Sequence, residues 1–278
     1  MKKLTKIITA VLAIVMLLSL AACGPKTPAS STDVPETAAP ATEAPATNAP
    51  AELKTVADGK LIMSTNAAFP PYEMTDDSDN IVGIDAEIAA AIAKKLGLEL
   101  QIDDMGFDAA QLAVQQGKSD ICMAGLSVTE DRKLVMDFSD SYATGIQVVI
   151  VKEGSAIATI DDLDGKKIGT QRATTGNIYC SDDYGEDNVI AYETGITAVQ
   201  ALVNGQVDCV VIDSAPATAF VESNAGLKIL DTEYVEEEYA IGMNKGNTAL
   251  VEAVNAALKE LIADGSVQAI VDKYISAE

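Results

Sequence analysis

Ala113-Val114-Gln115-Gln116-Gly117-Lys118-Ser119-Asp120-Ile121-Cys122 is echoed later in the chain by Ala201-Leu202-Val203-Asn204-Gly205-Gln206-Val207-Asp208-Cys209-Val210. Both stretches read as the end of a helix, a glycine cap, two residues, an aspartate and an apolar strand. An α/β chain that uses this unit twice is expected to have two similar halves. In open sheets of this kind ligands bind beyond the carboxyl ends of the strands, which points to the residues after Met123 and after Ile212.

The flanking sequence continues the alternation. Residues 60–65 form a short apolar strand. Residues 85–96 follow as a helix with Ile88, Ile92 and Leu96 on one face, started by Asp85 as a cap and stopped by Gly97. A strand is expected over 98–102, a helix over 108–116 closed by Gly117, and a strand over 120–123. Strands then recur at 146–151, 167–171, 189–192 and 208–212, with a helix from about 197 to 203. Leu250, Val254, Leu258, Leu261 and Ile262 make one helical stripe, and Val267, Ile270, Val271 and Tyr274 make a second after Gly265.

The N-terminus belongs to a different regime. Lys2, Lys3 and Lys6 precede an uncharged run that ends in Leu20-Ala21-Ala22-Cys23, which reads as a secretory signal over residues 1–22. The ending resembles a bacterial lipobox, which implies lipidation of Cys23. Residues 23–53 are rich in Ala, Pro, Thr, Ser and Glu, with six prolines between Pro25 and Pro50. Such a segment cannot bury a core and is expected to act as a semi-extended tether. Roughly 225 residues remain, enough for two modest domains or one large one.

The formal net charge is −23, and loss of a lysine-bearing signal makes it more negative. Nucleic acid is therefore not an expected partner. An anionic membrane surface would also repel this chain, so attachment is expected through the lipid on Cys23. The chain has no histidine, which excludes Ser-His-Asp and Cys-His catalysis and histidine-ligated metals. Cys122, Cys180 and Cys209 contain no Cys-x-x-Cys pair, so no metal site or redox dithiol is expected. Buried free thiols are the default, and whether Cys180 and Cys209 pair is left open. No phosphate-binding glycine loop with a lysine is present, so ATP hydrolysis would belong to a partner. No cofactor is called for.

Ala124-Gly125-Leu126-Ser127-Val128-Thr129-Glu130-Asp131-Arg132 follows one of the buried strands and opens a short helix. Thr129 can cap that helix, whose first amides suit an anion, and Arg132 supplies a planar fork that fits a carboxylate. Two acidic runs, Asp76-Asp77-Ser78-Asp79-Asn80 and Glu236-Glu237-Glu238, read as a solvated turn and a surface run. The first lacks the spacing of a calcium loop.

Six collinear segments give the chain a resemblance to the polar amino-acid-binding proteins of ABC importers, bacterial solute-binding protein family 3. They are Ala68-Phe69-Pro70-Pro71-Tyr72-Glu73, Gly83-Ile84-Asp85, the Ser127–Arg132 segment, Asp137-Phe138-Ser139-Asp140-Ser141-Tyr142, Asp162-Leu163-Asp164-Gly165-Lys166-Lys167, and Asp213. The resemblance spans about Leu61 to Tyr274. It implies the type II periplasmic-binding-protein architecture: two doubly wound α/β lobes joined by a two-strand hinge. The first lobe is then 54–143 plus 241–278 and the second 144–240. The chain would cross between them near 143–146 and 239–242, and ligand would close the lobes on itself.

The same resemblance implies the site. Arg132 and Ser127, with the backbone at Thr175, would hold the α-carboxylate of an amino acid. Asp213 and the carbonyl of Gly125 would hold its α-ammonium. Asn66, Phe69, Phe107 and Gln171 would line the side-chain pocket, the two aromatics flanking the ligand. Relatives that bind cationic side chains often carry an acid at the place of Asn66, which leans the ligand towards a neutral polar amino acid. The chain departs from the family pattern at Ile84, usually aromatic, and at Ala173, usually glycine.

The expected function is that of a monomeric, lipid-anchored extracytoplasmic protein that captures a polar L-amino acid and delivers it to an ABC permease. It is not expected to be an enzyme. Secreted cyclohexadienyl dehydratases resemble the same fold and are the alternative. They need an acid in place of an ammonium clamp, and the combination of Arg132 with Asp213 favours capture.

Overall fold

The structure is a computed structural model that describes residues 53–275. The expected signal over 1–22, Cys23 and residues 24–52 of the tether lie outside the described residues.

The chain opens with β1 (Lys60–Thr65), β2 (Ala68–Phe69), β3 (Glu73–Thr75) and β4 (Ile81–Val82), then α1 (Ile84–Leu96) and β5 (Glu99–Asp104). It continues through α2 (Phe107–Gln115), β6 (Ile121–Cys122), α3 (Glu130–Val135) and β7 (Met136–Lys152). After this long strand come β8 (Ile168–Gln171), α4 (Thr175–Tyr184), β9 (Val189–Tyr192), α5 (Gly195–Val203) and β10 (Cys209–Asp213). The last elements are α6 (Ser214–Ser223), β11 (Leu227–Ile229), β12 (Val235–Asn244), α7 (Thr248–Ala263) and α8 (Ser266–Tyr274).

The main sheet runs β5-β1-β6-β12-β7-β10-β8-β9, with β11 on β7. β1 pairs in parallel with β5 and β6, and β8 pairs in parallel with β9 and β10. Between these two parallel sets lies the antiparallel pair β7 and β12, whose register shifts at Tyr239/Ala240 and at Ala240/Gly242. β12 reaches one set through Gly242 and Met243 on β6, and β7 reaches the other through residues 147–150 on β10.

Alternation along the strands gives each parallel set helices on both faces. Leu61, Met63, Ile121 and Met123 face a core with Ile88 and Ile92 of α1 and Leu250, Val254 and Leu258 of α7. Cys122 and Ala124 face the other way, towards Phe107, Ala110 and Val114 of α2. In the second set Val148, Ile150, Val210 and Ile212 pack with Val199 and Leu202 of α5 and Phe220 of α6. Val149, Val151, Cys209 and Val211 face Cys180 of α4 on the reverse side. Each fully buried valine or isoleucine in these layers contributes about 1.5–3 kcal/mol of burial.

Several sequence expectations need correction. Asp85 does not cap α1: the N-cap is Gly83, without a side-chain hydrogen bond. The Asp85 carboxylate is buried and accepts from the Gly125 amide at 2.9 Å and the Tyr142 hydroxyl at 2.7 Å. The strand expected over 146–151 is the end of the much longer β7, whose polar first half is held as a strand by its pairing with β12. Glu236-Glu237-Glu238 is not a surface run, since β12 alternates and turns Glu237 inward. Asp76 does form a solvated turn, accepting from the amides of Ser78 and Asn80. Cys122, Cys180 and Cys209 are all free and buried.

Candidate functional site

The segment after β6 is built around the cap that the sequence indicates. Thr129 accepts from the Arg132 amide at 3.2 Å, which starts α3 and turns Arg132 back towards the body. Arg132 is buried. Its Nη1 donates to the Ser127 carbonyl at 2.8 Å and its Nη2 to the Ala173 carbonyl at 3.0 Å. The guanidinium lies 5.5 Å from the centre of the Phe107 ring, a cation–π distance. Phe107 therefore seats the arginine as well as lining the cavity. Burial lowers the guanidinium pKa, and the Glu237 charge opposes that shift.

Asp213 ends β10 and caps α6, accepting from the Ala215 amide at 3.4 Å. Its other oxygen accepts from the Tyr239 hydroxyl of β12. Burial pushes its pKa up to about 7, against the lowering effect of that hydroxyl. Gly145 makes this approach possible: a Cβ there would lie 2.4 Å from the Asp213 carboxylate and 2.6 Å from the Tyr239 ring.

Asn66 and Gln171 come from opposite parallel sets and bond directly, Gln171 Nε2 donating to Asn66 Oδ1 at 2.9 Å. Asn66 also donates to the Met105 carbonyl at 2.9 Å, and Gln171 Oε1 accepts from the Gly195 amide at 3.2 Å. Phe69 closes one wall against Gly125, which sits at φ 54°, and a Cβ there would lie 2.7 Å from the Phe69 ring. Thr174 caps α4, and Thr175 opens it.

A single cavity is lined by all nine residues singled out in the sequence: Asn66, Phe69, Phe107, Gly125, Ser127, Arg132, Gln171, Thr175 and Asp213. Its free volume in this structure is about 30 Å³, room for water-sized occupants, so the walls must part to admit a ligand of amino-acid size.

Four polar lining residues were not anticipated as site residues: Glu73, Gln147, Thr174 and Tyr239. Glu73 is fully buried and receives no hydrogen bond from an N–H or hydroxyl group of the described residues, but it shares a hydrogen bond with the Asp85 carboxyl, which requires a proton on one of the two. Burial first, then the like charge of Asp85, raises its pKa well above the usual carboxylate range. Burial likewise brings Asp85 up to about 6, although three hydrogen bonds pull it down. Among the described residues no group of three His, Cys, Asp or Glu side chains is placed to hold a metal ion.

Chemically, the cavity offers a guanidinium on one wall, a carboxylate on another, and a further buried carboxyl beside an aromatic ring. A small zwitterion taken out of water needs an opposite charge for each end, and this arrangement supplies both.

Comparison with known proteins agrees with this geometry. The model of the bacterial extracellular solute-binding proteins, family 3, matches residues 61–277. The arginine-binding extracellular protein of Bacillus subtilis is 34% identical over 232 residues, covering 79% of this chain and 87% of the relative. The probable histidine-binding protein of Neisseria gonorrhoeae is 33% identical over 222 residues, covering 78% and 83%. Among solved structures, an ancestral arginine-binding protein bound to arginine is 40% identical with a TM-score of 0.74, covering 78% of this chain and 99% of that one. The same kind of ancestral protein bound to glutamine is 38% identical with a TM-score of 0.75, covering 79% and 99%. The fold is accordingly the two-lobed type II periplasmic binding fold, and the chain belongs to family 3 of the bacterial extracellular solute-binding proteins.

Proposed function

We propose that this protein captures an L-amino acid with a cationic, arginine-like side chain between its lobes and delivers it to an ABC importer. The observation that carries the reading is the placement of Arg132 and Asp213 on one buried cavity. Arg132 still has guanidinium N–H groups to offer a carboxylate after serving two carbonyls. Asp213, raised to about 7 by burial, is stabilised as a carboxylate when an ammonium comes beside it.

The side-chain preference rests on Glu73. The expectation of a neutral ligand came from Asn66; Glu73, the first residue of β3, adds an acid to the same cavity lining and supports a cationic ligand instead. Burial and the like charge of Asp85 keep this carboxyl from ionising, and a cationic side chain lying along Phe69 would favour its charged form. Relatives named for binding arginine and histidine are in keeping with this choice. The relatives are named for what they bind and not for a reaction, and the chain is a binding protein rather than an enzyme.

The first lobe would comprise residues 54–143 plus 241–278 and the second 144–240, with β7 and β12 as the crossings. Family membership places the protein outside the cytoplasm. The signal-like residues 1–22 and the Leu20-Ala21-Ala22-Cys23 ending support a lipid anchor on Cys23, with a tether to a monomeric body.

A calorimetric titration with L-arginine, L-lysine, L-histidine and L-glutamine tests the assignment. Tight binding of a cationic amino acid, lost in Arg132→Ala and in Asp213→Ala, is the expected result. Preference for L-glutamine would overturn the role given to Glu73, and no binding at all would overturn amino-acid capture.

A further inference from the structure

Glu237 has no place in the site as described above, yet it is the most heavily hydrogen-bonded acid near it. It lies on β12 opposite Gly145 of β7, where the chain passes between the lobes, and it is only 8% exposed. Its Oε2 accepts from the hydroxyl of Ser127 at 3.2 Å, the hydroxyl of Thr175 at 2.7 Å and the amide of Gln147 at 3.1 Å. Its Oε1 accepts from the Tyr179 hydroxyl at 3.2 Å.

These donors come from both lobes. Ser127 follows β6, whereas Thr175 and Tyr179 belong to α4, which packs on β8, β9 and β10. Their meeting point brings the Ser127 and Thr175 hydroxyls to 3.5 Å from each other. Two hydroxyls from facing walls have little reason to converge unless a shared acceptor draws them. An ionised carboxylate is such an acceptor, because it only accepts and has room for several donors.

Each hydroxyl carries one proton, so donating to Glu237 commits it. While these bonds stand, Ser127 and Thr175 turn lone pairs to the cavity, and a ligand carboxylate is left to Arg132 and backbone N–H groups.

We propose that Glu237 is a positioning residue for the captured amino acid: it ties Ser127 to Thr175 across the cleft and holds the closed lobes together. The inference rests on the capture reading above. It locates part of the closed state's stability in the hinge, away from direct ligand contact, since Glu237 does not line the cavity. Such a tie forms after encounter, so it acts on ligand escape more than on entry.

The test is stopped-flow kinetics of L-arginine binding to the wild type, Glu237→Gln, Ser127→Ala and the double variant. Glutamine keeps the shape but offers one acceptor and one donor where four donors converge. The dissociation rate of Glu237→Gln is expected to rise roughly ten-fold or more with little change in association rate. The double variant is expected to release ligand no faster than Ser127→Ala, because the tie runs through that hydroxyl. Tyr179→Phe, which removes one donor to Glu237, is expected to fall between wild type and Glu237→Gln. It keeps the inference testable if the glutamine variant does not fold. A wild type that binds L-arginine alongside unchanged dissociation in Glu237→Gln or Tyr179→Phe would overturn the tie and leave capture standing. A wild type that binds no amino acid would overturn both.

Discussion

Arg132 donates through Nη2 to the carbonyl of Ala173, and Ala173 sits in the left-handed region at φ 61°. The residue that carries this contact is thus an alanine in a conformation that disfavours a Cβ by about 1–2 kcal/mol. Glycine at this position would relieve the strain but lose more entropy on folding, by about 0.4–1 kcal/mol. Ala173→Gly is expected to leave the fold intact and raise the melting temperature by about 2 °C, read by thermal denaturation. A loss of stability would show that the turn costs the alanine nothing.

Arg132→Lys tests the fork. Lysine keeps the charge but cannot serve two carbonyls and a ligand carboxylate in one plane. Losing a charge-assisted pair costs about 1.5–3 kcal/mol, so affinity for L-arginine is expected to fall at least ten-fold by calorimetry. Unchanged affinity would remove Arg132 from the carboxylate site.

Asp213 gives the binding a pH dependence with a definite sign. Its pKa of about 7 in the folded chain lies above its ordinary value, and an ammonium requires the ionised form. Affinity is expected to climb as pH rises towards 7 and to level off above it. Asp213→Asn should bind weakly, without the contribution of Asp213 to that climb. For stability without ligand the sign is opposite. The raised Asp213 and Asp85 hold protons in the native state that the unfolded chain has lost. Their contribution therefore makes the protein more stable near pH 5 than near pH 7.5, and urea titrations at the two values read the difference.

Glu73→Gln tests the side-chain pocket. The substitution removes the acid while keeping its volume, so L-arginine affinity is expected to drop at least ten-fold relative to L-glutamine in competition experiments. Titration of the wild type in buffers of different ionisation enthalpy should also show protons released on binding L-arginine, because a cation beside Glu73 favours its charged form. Equal proton release by Glu73→Gln would assign those protons to Asp213 alone.

The site divides into what motif and period reveal and what they hide. Thr129 and Arg132 were legible because a cap and a basic residue three positions on follow an apolar strand, and the structure keeps that local geometry. Asp213 was legible as a carboxylate stranded after Val210-Val211-Ile212. Glu73 was not, because an acid at the start of a three-residue strand reads as solvent-facing, and α1 packs against that strand. Glu237 was hidden inside a run of three glutamates. Period two along Glu237, Tyr239 and Ile241 was the signal that could have turned it inward. α4 escaped notice since Thr-Gly-Asn-Ile-Tyr-Cys-Ser-Asp-Asp-Tyr carries no apolar stripe, and its start is fixed by the Thr174 cap. The polar half of β7 escaped for a related reason: pairing with β12, not apolar sequence, makes it a strand.

The three thiols within the body have a practical consequence. Burial raises Cys122, Cys180 and Cys209 to about 12 each, so almost none is thiolate at neutral pH and none is accessible to reagent. With Cys23→Ser in place, a cysteine introduced on each lobe becomes a specific address for a fluorophore. A pair of dyes can then report lobe closure in a single molecule without stripping the native cysteines from the core.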